Sequence, residues 1–237
     1  MYLPAEHTFP TADAPEALFQ LMAAHPLGAW VCGGPAGDLL ANDVPFLLDR
    51  ERGRHGTLIG HVSRANPVWR ALGPSAPSVV MFQGPQAYVT PGWYPGKAAH
   101  GKVVPTWDYA VVHAHGVARA FHEPDAVLDV LRRLTAHHEA RQALPWSVDD
   151  APAAFIDRML QAVVGIEIVI DRLEGKLKAS QDEALPDRFG TAQGLLASDG
   201  DGHRTMGALV LAAAQRDAGT SAGEVPGEHP GGDAQRA

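Results

Sequence analysis

The stretch Val79–Tyr109, VVMFQGPQAYVTPGWYPGKAAHGKVVPTWDY, decides how the rest of the chain is read. Val79–Phe82 is an apolar, β-prone run; Gly84-Pro85 predicts a turn, and Ala87–Val89 resumes extended structure. A Gly-bearing loop from Pro95 to Lys102 follows, and the chain re-enters as a strand at Val103–Trp107. Trp93, Tyr94 and Trp107 flank Lys97 and Lys102. Flat apolar surface beside cations and hydroxyls suits a planar anionic ligand. It suits the wet rim of a barrel core equally well, and the stretch alone leaves both open.

On the N-terminal side, the spacing of Asp13 and Glu16 predicts a capping box with Pro15 in the first turn, and Leu18, Leu21 and Met22 give one apolar face. A helix is therefore expected over Ala14–Ala24, stopped by Pro26. From Leu27 the period changes to that of strands: Gly28–Cys32, a GGPAGD turn, Leu39–Leu48, a polar break at Asp49–Arg54, then Gly56–Val62. Extended segments separated by turn residues, with no helices long enough for parallel crossovers, predict an antiparallel meander. Neither GxGxxG nor GxxxxGK[ST] occurs.

On the C-terminal side, AVVHAHGVARAF (110–121) reads as a long strand with Val111, His113, His115, Val117 and Arg119 on one face. His113 and His115 offer two metal ligands, but no neighbouring acid or cysteine in the sequence completes a site, so no metal is expected. Helices are expected from Pro124 to about Gln142, after Asp149-Asp150, over Leu185–Leu196 and over His203–Ala214. Val164, Ile166, Ile168 and Ile170 alternate with more polar neighbours in the clearest strand of all. From Asp217 the composition is Gly, Ala, Pro and charge, so residues 217–237 are expected to be a disordered tail.

Composition bounds function. The chain has 237 residues, 46% of them hydrophobic, and a net charge of −8, which suits one large globular domain or two small ones and disfavours coating nucleic acid. One cysteine, Cys32, allows no internal disulfide and fits a reducing compartment. No signal-like N-terminus and no membrane-length apolar run occur, so the expected location is cytoplasmic. A GxSxG elbow and paired carboxylates on the strands are missing, which leaves a ligand-binding barrel whose ligand brings its own chemistry.

Four blocks then carry a resemblance: GHVSRANPVW (60–69), FQGPQAYVTPGWY (82–94), KVVPTWDY (102–109) and EGKLKASQ (174–181). In this order they resemble the PaiB family of FMN-binding negative transcriptional regulators, and the similarity runs from Met1 to about residue 214. The resemblance implies an α+β, mainly antiparallel fold, the FMN-binding split β-barrel with peripheral helices, as one domain over 1–216. It implies FMN as cofactor, a homodimer, His61, Ser63, Arg64 and Asn66 near the phosphate and ribityl chain, and Lys102, Thr106 and Trp107 near the ring or across a dimer interface. Spacing alone leaves two readings of the first group: His61 and Ser63 share a strand face and Arg64 and Asn66 fall at its end, where an arginine fork suits phosphate, or the block is a polar turn with His61 satisfied inside the barrel.

Three positions depart from the family pattern. Asp43 stands where a histidine is usual, and Asp108 and Asp182 where asparagines are expected. A carboxylate beside a phosphate costs about 1 kcal/mol in a wet site, so weaker FMN affinity or a different ligand is expected. Function is read first as a regulatory FMN-binding protein acting on DNA or a regulatory protein partner. The acidic charge and the lack of a helix-turn-helix pattern count against direct DNA binding. The alternative is a flavin-dependent oxidoreductase acting on a small molecule, and a flavin-free binding scaffold comes third.

Overall fold

The computed structural model describes residues 1–10, 14–73 and 76–223. It has an α+β fold built on a seven-stranded, mainly antiparallel sheet of split-barrel type with peripheral helices. Helix α1 (Ala14–Ala24) forms where the apolar period placed it, while the expected Asp13 cap lies outside the described residues. The strands are β1 (Leu27–Gly33), β2 (Leu39–Pro45), β3 (Leu47–Asp49), β4 (Thr57–Ser63), β5 (Ala76–Val89), β6 (Thr106–Phe121) and β7 (Val163–Lys178). The remaining helices are α2 (Val68–Ala71), α3 (Pro95–His100), α4 (Pro124–Glu139), α5 (Ala153–Leu160), α6 (Leu185–Ala197) and α7 (Asp201–Gly223).

The sheet order is β2-β1-β5-β6-β7-β4-β3, which corrects the simple meander. Consecutive strands do pair within the blocks β1/β2, β3/β4 and β5/β6/β7, but the β3/β4 hairpin docks on β7. Turn chemistry dictates the hairpins, whereas the order of blocks depends on which faces must be buried together.

The turn expected at Gly84-Pro85 is also corrected, because β5 runs straight through it. A Cβ on Gly84 would lie 3.0 Å from Leu21 Cδ1 and 3.1 Å from the Ala110 carbonyl oxygen. Glycine is used there for close approach of α1 and the neighbouring strand, and a proline is compatible with a strand position whose N–H the ladder does not need.

The chain resolves into two compact units. The first comprises Met1–Gly84 and Tyr109–Leu177. Its core alternates along the strands: Val112, Ala114 and Ala118 are buried on β6, and Val164, Ile166, Ile168 and Ile170 on β7. Trp30 is fully buried on β1 and its indole N–H donates to Ser78 Oγ at 3.1 Å, so the largest core side chain leaves no unmet donor. Val130 and Leu134 of α4 pack on Ile59 of β4, with Leu47 and Phe121 at the edge.

The second unit comprises Pro85–Asp108 and the chain from Lys178 on. Here α6 packs on α7, and Gly190 and Gly194, one turn apart on α6, make room for Trp93. A Cβ at Gly194 would fall 2.3 Å from the Trp93 ring, and one at Gly190 would fall 2.1 Å from the Trp93 carbonyl oxygen. The loop expected at 95–102 is mostly the short helix α3, closed by Gly101 in the left-handed region. Helix α7 continues through Gly223, so structure extends past the expected end at 216, and 224–237 lie outside the described residues. Among the described residues no helix is long and apolar enough to cross a membrane.

Candidate functional site

The GHVSRANPVW block leaves β4 at Ser63, turns through Arg64–Pro67 and enters α2 at Val68. The turn is tied on both sides. Arg64 Nε donates to the Gln161 carbonyl at 2.6 Å and Nη2 to the Val163 carbonyl at 2.8 Å. Ser63 Oγ accepts from Ala65 N at 3.2 Å, Asn66 Oδ1 accepts from Val68 N at 3.0 Å, and Asn66 Nδ2 donates to Asn42 Oδ1 at 2.7 Å. These side chains spend their hydrogen-bonding capacity on the backbone that shapes the turn, as Ser and Asn commonly do at such places.

What the turn presents is Trp69. Its indole N–H donates to the Arg64 carbonyl at 3.1 Å, which fixes the ring against the block that precedes it. The ring meets His122 edge-on at 5.0 Å between centroids, and the Arg70 guanidinium lies 4.3 Å from the Trp69 ring centroid. Together with Leu72, Gly73, Arg119 and Ala120 they line an open cleft of about 750 Å³ in the first unit. Arg64 Nη1 is 3.5 Å from His122 Nδ1, at the limit of a hydrogen bond.

The electrostatics of this cleft are one-sided. Among the described residues no carboxylate lines it. Arg50, Arg52, Arg132, Arg133 and Arg172 each pair with an acid, but Arg64, Arg70 and Arg119 have no carboxylate partner among the described residues. In a chain of net charge −8, unneutralised arginines around a half-buried aromatic ring make a local field for an anion. Arg119 projects from β6 and Arg70 from α2, so an anion held between them would be gripped from two elements.

Of the residues expected to bind cofactor, His61, Ser63, Arg64 and Asn66 fall in this unit, and Lys102, Thr106 and Trp107 fall in the other. His61 does not line the cleft; its half-buried ring has an unpartnered Nδ1, and burial lowers its pKa, keeping it neutral. In the second unit, Thr106 Oγ1 accepts from Lys178 Nζ at 2.6 Å. Trp107 is half-exposed, donates to Gln86 Oε1 at 3.3 Å and lies 6.2 Å from the Tyr88 ring. Lys102 is exposed, and its backbone N–H donates to His100 Nδ1 at 3.1 Å.

The sequence reading placed Arg119 on a strand face and Trp69 in a block, but assigned neither of them, nor Arg70 or His122, to a site. Trp69 closed a recognised block, and only its direct neighbour Arg70 carried an available signal. Arg119 and His122 lie far along the chain and reach the cleft through strand pairing.

The three acidic departures do not enter the cleft. Asp43 is exposed on β2, and Asp182 is exposed in the second unit. Asp108 is fully buried there, accepting from Ser180 Oγ at 2.6 Å and Ser180 N at 3.1 Å, with Lys178 Nζ at 3.6 Å.

Comparison with known proteins bears on the family and the fold. A family model described as a putative FMN-binding domain matches residues 1–172. The chain belongs to that family. An uncharacterized protein of Emericella nidulans is 32% identical, over 82% of this chain and 90% of its own length. The protease synthase and sporulation protein PAI 2 of Bacillus subtilis is 26% identical, over 73% of this chain and 81% of its own. Among solved structures, the FAD and heme binding protein from Mycobacterium smegmatis superposes with a TM-score of 0.51 at 22% identity, covering 73% of this chain and 75% of that one. At that identity the last similarity speaks for the fold alone. Family and fold are consistent with flavin binding in general.

Proposed function

We propose that the protein is a flavin-dependent oxidoreductase acting on a small molecule, with FMN as its cofactor. The observation that carries the reading is the carboxylate-free cleft around Trp69, with Arg70, Arg119 and His122 on its walls. An FMN phosphate is dianionic, and arginine forks suit it; the Trp69 ring offers apolar surface to the flavin. Ser63, Arg64 and Asn66 contribute by holding the turn that presents Trp69 and Arg70, and His61 is a neutral donor or acceptor on the same strand. Bound flavin would supply hydride or single-electron transfer, and the chain supplies binding and orientation. Lys102, Thr106 and Trp107 belong in the proposal as contacts of the ring or of a second copy, since Tyr88, Val104 and Trp107 expose apolar surface that a homodimer would cover.

The test is FMN binding followed by NADPH. Arg70→Ala and Arg119→Ala should each weaken FMN by roughly 10–100-fold, the loss of one charge-assisted bond of about 1.5–3 kcal/mol, and should leave riboflavin binding nearly unchanged. Bleaching of the bound flavin by NADPH completes the reading. Unaltered FMN affinity in the double variant would remove the cleft as the phosphate site.

A regulatory role of PaiB type is the second reading, favoured by the similarity to PAI 2. Bound FMN that NADPH leaves oxidised, with flavin-dependent retardation of DNA or capture of a regulatory protein, would favour it over the oxidoreductase.

A further inference from the structure

On β6, His113 and His115 point to the same side, two residues apart, as strand alternation requires. The neighbouring strand β7 brings Glu174 to them, the acid that the local sequence does not contain. One ligand atom from each of the three residues lies within 4.8 Å of the other two, and all three side chains are half-buried. His115 Nε2 sits 2.9 Å from Glu174 Oε2. The two imidazoles are 6.3 Å apart between centroids and tilted by 60°, so their edges rather than their faces converge.

We infer that His113, His115 and Glu174 bind a divalent transition-metal ion through two imidazole nitrogens and one carboxylate oxygen. Two histidines with a single carboxylate on one side of the ion leave further positions for water or a small ligand. Imidazole donors select zinc, nickel, copper or iron over magnesium and calcium, which prefer all-oxygen sites.

An ordinary ion pair accounts for His115 and Glu174 but leaves His113 over. That ring makes no hydrogen bond among the described residues, yet it is partly withdrawn from water at the same point. Glu174 is held in place by contacts with the Met1 ammonium at 3.2 Å, with His115 Nε2 at 2.9 Å and with Arg172. Arg172 lies on Oε1, which orients the carboxylate with Oε2 towards the histidines, the service that outer partners perform for metal ligands. The Met1 ammonium shares Oε2 and opposes an incoming dication. The site is therefore a moderate-affinity one rather than a structural zinc centre, and it does not depend on the flavin reading.

The experiment is calorimetric titration of the full chain, stripped with chelator and free of any affinity tag, with zinc and separately with magnesium. Cobalt(II) absorption serves as a direct report on the ligand set. One equivalent of zinc should bind, magnesium should not, and His113→Ala should weaken zinc at least about 100-fold, more than loss of an outer partner costs. Because His113 makes no hydrogen bond, this variant keeps the fold, which circular dichroism checks. Glu174→Gln should weaken binding likewise and shift the cobalt bands, while His137→Ala/His138→Ala, at the far end of α4, should leave affinity unchanged. Absence of zinc binding to the wild type would overturn the inference, as would affinity that survives His113→Ala or vanishes in the α4 variant.

Discussion

Replacing Asp108 by asparagine should stabilise the protein at neutral pH and change little near pH 4. Asp108 is fully excluded from water in the second unit. Burial raises its pKa, and bonds from Ser180 together with Lys178 offset this only in part. A carboxyl whose folded pKa lies above its unfolded value of about 3.9 adds stability below that value, and this contribution is lost as pH rises through the folded pKa. Wild type should therefore lose ground to the variant as pH rises above about 4.

Asparagine conserves the local bonds: its Oδ1 accepts from Ser180 N, its amide donates to Ser180 Oγ, and Lys178 keeps Thr106. Near pH 4 the two proteins should thus agree within about 1 kcal/mol, the worth of one neutral hydrogen bond. By neutral pH the variant should melt above the wild type, each 1 kcal/mol of gain being worth roughly 2–4 °C in a chain of this size. Asp108→Ala, in contrast, leaves Ser180 N and Oγ without their acceptor in a buried site and should cost about 1–3 kcal/mol at neutral pH. Thermal melts of the three proteins across the pH range give the answer. A wild type that gains on Asp108→Asn as pH rises would mean that Lys178 and Ser180 outweigh burial, and the reasoning would fail.

Other perturbations test other parts of the fold. Gly116→Ala on β6 would place a Cβ 2.0 Å from the Val169 carbonyl oxygen, a backbone atom that cannot step aside, so urea melts should show a loss of about 3 kcal/mol; Gly33→Ala, with open space around it, is the near-neutral control. Arg64→Ala removes two charge-assisted bonds to the carbonyls of Gln161 and Val163 and should cost about 1.5–3 kcal/mol of stability without any flavin present. A normal melting curve for that variant would return Arg64 to a purely ligand-binding role. Cys32 is buried and burial pushes its thiol pKa up, so Ellman's reagent should label it slowly in the native protein and at once in denaturant.

Residues alone determined the local elements here. Helix α1, the alternation along β6 and β7 and the position of α6 follow from apolar periods of 3.6 and 2, which the chain carries however it is packed. The four blocks pointed to the split-barrel fold and the flavin family before any coordinates. Gly84-Pro85 misled because the same glycine that can turn a chain can also admit a neighbour, and only Leu21 and Ala110 across the fold decide which. Asp43, Asp108 and Asp182 looked like acids near a phosphate, yet none of them is among the residues that line the cleft. Tertiary structure alone brings Arg119 and His122 to Trp69 and Arg70, and Glu174 to His113 and His115. Each of those groupings spans dozens of residues, and hydrogen-bonded strand pairing, which no local period encodes, closes the distance.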